Sequence, residues 1–162
     1  MFDPLTITTL LNWLARHAEA QRAWQITDPT HADYGAIVQP EWGVADPRTT
    51  GKFLVLCGYL ALGHALPDDQ LLDQADLAAT YLLRARRPSG LIDLISVNID
   101  SGPDTGFAVQ ELCTVLELAR DRTVIHPAWP SLLTKITTFV REAVPGILTS
   151  GFHTPNHRWV MV

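Results

Sequence analysis

Side chains able to bind and process a sugar are concentrated in three stretches of the chain. They are His31, Asp33, Tyr34, Glu41, Trp42, Asp46 and Arg48 in the first stretch, Asp93, Asn98, Asp100 and Asp104 in the second, and His153, Asn156, His157, Arg158 and Trp159 in the third. Carboxylates, amides, imidazoles and indoles together are typical of carbohydrate clefts, because an indole stacks on the C–H face of a sugar while polar groups hold its hydroxyls. Loops are polar in any protein, however, and we expect Asp46 and Asp104 to be helix caps.

The most distinctive stretch is Gly-Phe-His-Thr-Pro-Asn-His-Arg-Trp at residues 151–159. Pro155 and Asn156 favour the start of a helix, where backbone N–H groups attract an anion. Asn156 and His157 at such a helix start would help to hold an anion. Neutralising a uronate carboxylate acidifies its α-proton, which a histidine or tyrosine could then abstract in a β-elimination. Two alternatives remain: Asn156 is a plain cap, or His153 and His157 hold a metal. Pro155 keeps the two histidines off one regular helical face, so we predict no metal and no cofactor.

Helical periodicity supplies the elements that position these residues. Five helices are predicted, at about residues 5–26, 47–65, 68–87, 103–121 and 128–148, and a sixth begins at 155–156. Pro145 is expected to kink or end the fifth helix. Residues 91–100 alternate loosely and predict a short strand or hairpin arm.

The connections alternate between long and short, which indicates a structural repeat of roughly 50–60 residues. We therefore predict an all-α fold of stacked antiparallel α-hairpins forming part of an (α/α) toroid, with the long loops on one rim and the even-numbered helices inside. Residues 1–162 are interpreted as a single helical domain. Because a ring of hairpins of this size needs roughly twice the length or more, the domain is expected to be the N-terminal fragment of a larger toroid.

Composition narrows the classes of protein. With 47% hydrophobic residues, 18% charged residues and a net charge of −5, the chain is expected to be globular, without a basic face for nucleic acid. No signal peptide or membrane span is evident, and the localisation and oligomeric state stay open.

Cysteine and tryptophan positions carry further expectations. Cys57 and Cys113 stand in apolar runs and are expected to be buried free thiols. Of the five tryptophans, Trp13, Trp24 and Trp129 are expected to pack between helices. Trp42 and Trp159 are assigned to the rim.

The hairpin organisation and the FHTPNHRW motif resemble the (α/α)-toroid polysaccharide lyases, in particular the heparinase II/III-like group. The resemblance implies cleavage of an acidic, uronate-containing oligo- or polysaccharide by β-elimination, with Asn156 as the carboxylate neutraliser and His157 as an auxiliary acid, base or binding group. The remaining catalytic residues of such a lyase would follow Val162, so the fragment alone is expected to be inactive.

Two other functions stay open. A glycoside hydrolase on the same scaffold would pair Asp100 or Asp104 with Asp46 or Glu41. A non-catalytic helical-repeat module would instead bind its partner along the inner helices. For the carbohydrate-active alternatives, the predicted substrate-binding residues are Glu41, Trp42, Asn98, Asp100, His153, Arg158 and Trp159.

Overall fold

The computed structural model describes residues 4–95 and 98–150, and this part of the chain is mostly helical, as predicted. Its helices are α1 (Pro4–Arg22), α2 (Pro47–Leu62), α3 (Gln70–Arg84), α4 (Gly102–Ala119) and α5 (Trp129–Thr149). Its strands are β1 (Val38–Gln39), β2 (Val44–Ala45), β3 (Ile92–Leu94) and β4 (Asn98–Ser101). None of the described helices has the length and apolarity needed to cross a membrane.

Neighbouring helices pack in the order expected of stacked hairpins. Helix α2 contacts α1, α3 and α4, and α5 contacts α3 and α4. The even-numbered helices therefore lie side by side, as do α3 and α5. Close packing of α2 on α4 depends on Gly58, where an added Cβ would lie 2.6 Å from Val115 Cγ1. Small residues in α2 thus allow its close approach to α4.

A short antiparallel hairpin precedes each of α2 and α4. Strand β1 pairs with β2 through Val38 and Ala45, and β3 pairs with β4 through Ile92 and Ser101. The second hairpin agrees with the alternation seen at residues 91–100. The first was not predicted, since the sequence indicates only a long connection between the first two helices.

The two hairpins are attached to their helices by the same contacts, at positions 55 residues apart. Thr50 Oγ1 accepts a hydrogen bond from Ile37 N and donates to Asp46 O, and Thr105 Oγ1 does the same with Ile92 N and Ser101 O. Both N–H···O distances are 2.9 Å. These matched contacts reveal a structural repeat within the predicted range of 50–60 residues.

A glycine two residues before each of these isoleucines completes the repeat. Gly35 and Gly90 have φ values of +94° and +89°, a region that favours glycine. An added Cβ would meet the backbone carbonyl of Leu77 in α3 at Gly35, and that of Glu142 in α5 at Gly90. Each hairpin therefore starts in contact with the outer helix that follows it.

Helix α1 ends earlier than the apolar spacing indicates. It stops at Arg22, because the next residues become extended and pair with the first hairpin region: Ile26 N donates to Ala36 O, and Val38 N donates to Trp24 O. The pairing takes residues 24–26 out of the helix.

Three side-chain expectations are wrong. Trp13 and Trp24 are 53% and 48% exposed. Trp13 lies on a side of α1 that its described neighbours leave uncovered, and Trp24 follows the end of that helix. Cys113 is exposed on the surface of α4, whereas Cys57 and Trp129 are buried as predicted. An apolar run places a residue in a helix, but it does not determine which side of that helix its neighbours cover.

Pro145 does not end α5, which continues to Thr149. Proline removes one N–H donor, and later residues resume the helical pattern: Ser150 N bonds Gly146 O. Of the two effects expected at this proline, a kink or an end of the helix, the end is therefore wrong.

Candidate functional site

The two hairpins and the end of α3 enclose a cleft with a volume of about 390 Å³. It is lined by Ala32, Asp33, Val44, Ala45 and Pro47 from the first connection, by Tyr81, Arg84 and Ala85 at the end of α3, and by Asp93 and Ile95 from the second connection. The sequence-based expectation that the first two long connections meet at one end of the helices agrees with this arrangement. We refer to this space as the hairpin cleft.

Two carboxylates face the hairpin cleft in different environments. Asp93 accepts hydrogen bonds from Arg87 Nε at 3.0 Å and from Asp100 N at 2.7 Å. The hydrogen bond from Arg87 is the main reason that the pKa of Asp93 is lowered, so this carboxylate is held ionised. Asp33 is half-buried, and no described side chain donates a hydrogen bond to its carboxylate.

Helix α3 contributes a tyrosine and an arginine to the hairpin cleft. Tyr81 is only 5% exposed, and burial, followed by the charge of Asp33, raises its pKa. Its hydroxyl therefore stays protonated and can donate a hydrogen bond. Arg84 donates to Tyr34 O at 2.8 Å, which ties the first connection to α3.

Of the residues predicted in the first connection, all except Asp33 lie outside the lining of the hairpin cleft. Glu41 and Trp42 lie in the turn between β1 and β2, where Glu41 accepts a hydrogen bond from Gln39 and Trp42 is about half exposed. His31 Nδ1 accepts from Asp33 N within the loop. Arg48 points elsewhere and pairs with Glu111 of α4. Of the chemistry-bearing residues predicted in this connection, Asp33 alone lines the cleft among the described residues.

In the second connection, Asn98 and Asp100 lie on β4. Asn98 donates to Ser101 Oγ at 2.9 Å, and Asp100 accepts from Ser89 and has a φ of +57°. Both side chains therefore hold the second hairpin in shape. Their predicted contact with substrate stays a prediction.

Asp46 and Asp104 are part of helix caps, as expected. The Asp46 carboxylate accepts from Thr49 N at 2.7 Å and caps α2. Ser101 caps α4 and donates its hydroxyl to Asp104, which lies three residues further along, in the first turn of the helix. Asp46 and Asp104, two of the carboxylates expected to serve a hydrolase, are thus engaged in helix capping.

The third stretch lies outside the described residues. This applies to the predicted catalytic residues Asn156 and His157, and to the binding candidates His153, Arg158 and Trp159. The sixth helix at 155–156 and the roles assigned to these side chains stay predictions.

Sequence reasoning missed Tyr81 and Arg84, because helical periodicity assigned them to an ordinary packing segment. A usable signal was present: both belong to the last turn of α3, and the chain enters the second long connection directly afterwards. Side chains at that end of an odd-numbered helix lie beside the loops.

Comparison with protein families, curated proteins and solved structures finds no match to this chain. Within residues 4–95 and 98–150, no group of three or more His, Cys, Asp or Glu side chains is placed to hold a metal ion. The lining residues of the hairpin cleft offer the chemistry of carboxylates, a phenol and a guanidinium.

Proposed function

We propose that the chain is part of a carbohydrate-active protein built on an (α/α) toroid, and that the hairpin cleft binds a neutral sugar. The observation that carries the proposal is the convergence of two hairpins from successive repeats on one polar cleft beside α3. Long loops meeting at one end of a helical stack form a natural binding site, because the helices fix the loops relative to each other.

The polar groups of the hairpin cleft match the hydroxyls of a sugar. Asp33 offers acceptors that no described side chain uses, and Tyr81 offers a donor. Val44, Ala45 and Ile95 add apolar surface for the C–H groups of the ring.

The charges of the hairpin cleft favour a neutral sugar over a uronate. Asp33 would repel a carboxylate, and the charge of Asp93 is paired with Arg87. Arg84 is the one cation among the lining residues, so no excess of positive charge is left to attract a uronate. Cleavage by β-elimination rests on the resemblance and on Asn156 and His157, and it stays a prediction.

If the protein is an enzyme, Asp33 and Asp93 are the carboxylate pair that the hairpin cleft offers for hydrolysis. A glycoside hydrolase needs two carboxyl groups in different environments, one of which stays ionised. Arg87 keeps Asp93 in that state. This pair replaces the one that we derived from the sequence.

Isothermal titration calorimetry with cellotriose, maltotriose, xylotriose and trigalacturonate tests the proposal. We expect at least one neutral trisaccharide to bind. Asp33→Asn is expected to lower the affinity for it about tenfold or more, because a hydrogen bond to a charged group is lost. Asp69→Asn is the matched control, since the Asp69 side chain makes no cap hydrogen bond.

A second pair of variants tests the donor. Tyr81→Phe removes the hydroxyl from the cleft, whereas Tyr59→Phe removes one that bonds Thr114 between α2 and α4. Only Tyr81→Phe is expected to weaken binding of the sugar. Binding of trigalacturonate alone, or affinities that are unchanged in both Asp33→Asn and Tyr81→Phe, would show that the assignment of a neutral sugar to this cleft is wrong.

A further inference from the structure

A second groove lies on the exposed side of α1, α2 and α4, and its volume is about 250 Å³. Its lining includes Trp13, His17 and Gln21 of α1, Lys52 and Leu56 of α2, and Glu111 of α4. None of these residues lines the hairpin cleft. We call it the tryptophan groove.

Trp13 provides a flat apolar surface in this groove. Its indole is 53% exposed and stacks on the His17 ring, with 5.4 Å between the ring centroids and 5° between the planes. Stacking on a neighbour one helical turn away restricts the indole. A ligand that packs against it therefore costs little further side-chain entropy.

Glu111 is a fixed acceptor at the edge of the tryptophan groove. Both of its carboxylate oxygens accept hydrogen bonds from Arg48 at 2.8 Å, and Arg48 is only 9% exposed. The Arg48 guanidinium also lies 5.7 Å from the centre of the Phe107 ring. A carboxylate held in this way keeps lone pairs for a ligand without changing its position.

Lys52 is a further polar group of the groove with capacity for a ligand. It is exposed, and no described acidic side chain forms an ion pair with it. Gln21 instead contacts the His17 ring, with 3.4 Å between its Nε2 and His17 Nε2, and so helps to hold the ring on which Trp13 stacks.

We propose that the tryptophan groove is a second carbohydrate site, which takes a neutral pyranose ring. The ring's C–H face would pack on Trp13, while its hydroxyls donate to Glu111 and accept from Lys52. The inference shares its ligand class with the proposed function of the hairpin cleft, but it stands on different residues. A single Lys52 charge beside the Arg48–Glu111 pair does not require an anionic ligand.

The test follows the indole N–H signal of Trp13 by NMR while cellotriose, maltotriose, xylotriose or trigalacturonate is added to the full chain. We expect a neutral trisaccharide to shift the Trp13 signal, and Trp13→Ala to lower affinity at this site about tenfold or more. Trp24→Ala is the matched control, because Trp24 is also about half exposed but does not line the groove. Lys52→Met, which keeps the aliphatic stem, is expected to weaken binding as well.

The two sites are separated by Asp33→Asn. A Trp13 shift that survives this variant supports the tryptophan groove whether or not the hairpin cleft binds sugar. An unmoved Trp13 signal, an unchanged affinity in Trp13→Ala, or a response to trigalacturonate alone would overturn the inference, even if Asp33→Asn abolishes binding at the hairpin cleft.

Discussion

Thr105→Val removes one hydroxyl at the point where the second hairpin joins α4. Thr105 is fully buried, and its Oγ1 accepts from Ile92 N at 2.9 Å and donates to Ser101 O at 2.6 Å. Valine has nearly the same shape, so the substitution leaves no cavity. The substitution therefore removes only polar contacts, and its main consequence is that Ile92 N–H loses its acceptor.

The size of the effect follows from burial. Ile92 is fully buried, so its unpaired N–H has no access to water, and a buried unsatisfied donor costs about 1–3 kcal/mol. We expect a loss of about 2 kcal/mol in the free energy of unfolding, which for a chain of this length lowers Tm by roughly 4–8 °C. Thr50→Val is expected to cost a similar amount, because its contacts with Ile37 and Asp46 are the same.

Thermal and urea unfolding followed by far-UV circular dichroism measure these losses. The matched control is Thr134→Val, since Thr134 is an exposed helical threonine whose Oγ1 bonds Pro130 O. Its expected effect is within about 0.5 kcal/mol of zero, as for most surface substitutions. A Thr105→Val variant as stable as wild type, or a control that loses as much, would refute the role of the two threonines in fixing the hairpins.

Two further predictions concern ionisation and thiol chemistry. Arg87 lowers the pKa of Asp93, so the interaction stabilises the fold above the usual aspartate pKa of about 4 and is lost as pH falls towards the lowered value. In urea unfolding, Asp93→Asn should therefore reduce the free energy of unfolding at pH 7, and by less near pH 3. An equal reduction at both pH values would contradict this. Cys113 is exposed while burial raises the pKa of Cys57, so Ellman's reagent should titrate one thiol in the native chain and two in urea. Cys113→Ser should leave no thiol that reacts in the native chain, and a rapid native reaction of Cys57 would show that it is accessible.

Most helix positions were predictable because apolar spacing and turn residues reinforce each other there. Asp46 caps α2, which begins at Pro47, and Ser101 caps α4, which begins at Gly102. Both follow the residue preferences of helix starts. The first hairpin was not predictable from alternation, because each of its strands has two residues. Its position is set instead by tertiary contacts, among them the hydrogen bond between Ile37 and Thr50.

The hairpin cleft was predictable only in part. Asp33 and Asp93 stand in the long connections, which were expected to meet. Tyr81 and Arg84 belong to a helix, and the fact that they face the cleft depends on where the hairpins pack against the end of α3. Periodicity assigns residues to a helix, but it does not locate the loops of the neighbouring repeats around them.

The first hairpin is held at its base and free at its tip. Thr50 fixes Ile37 at the base, whereas a Cβ added at Gly43 would meet no atom within 4 Å. Apart from Gly43, whose φ of +64° favours glycine, residues at such a tip can be exchanged, and the turn lengthened, at small cost in loop entropy and without disturbing the buried helices. The surface at this end of the molecule can therefore diverge during evolution, or be re-engineered, while the helical scaffold keeps its sequence.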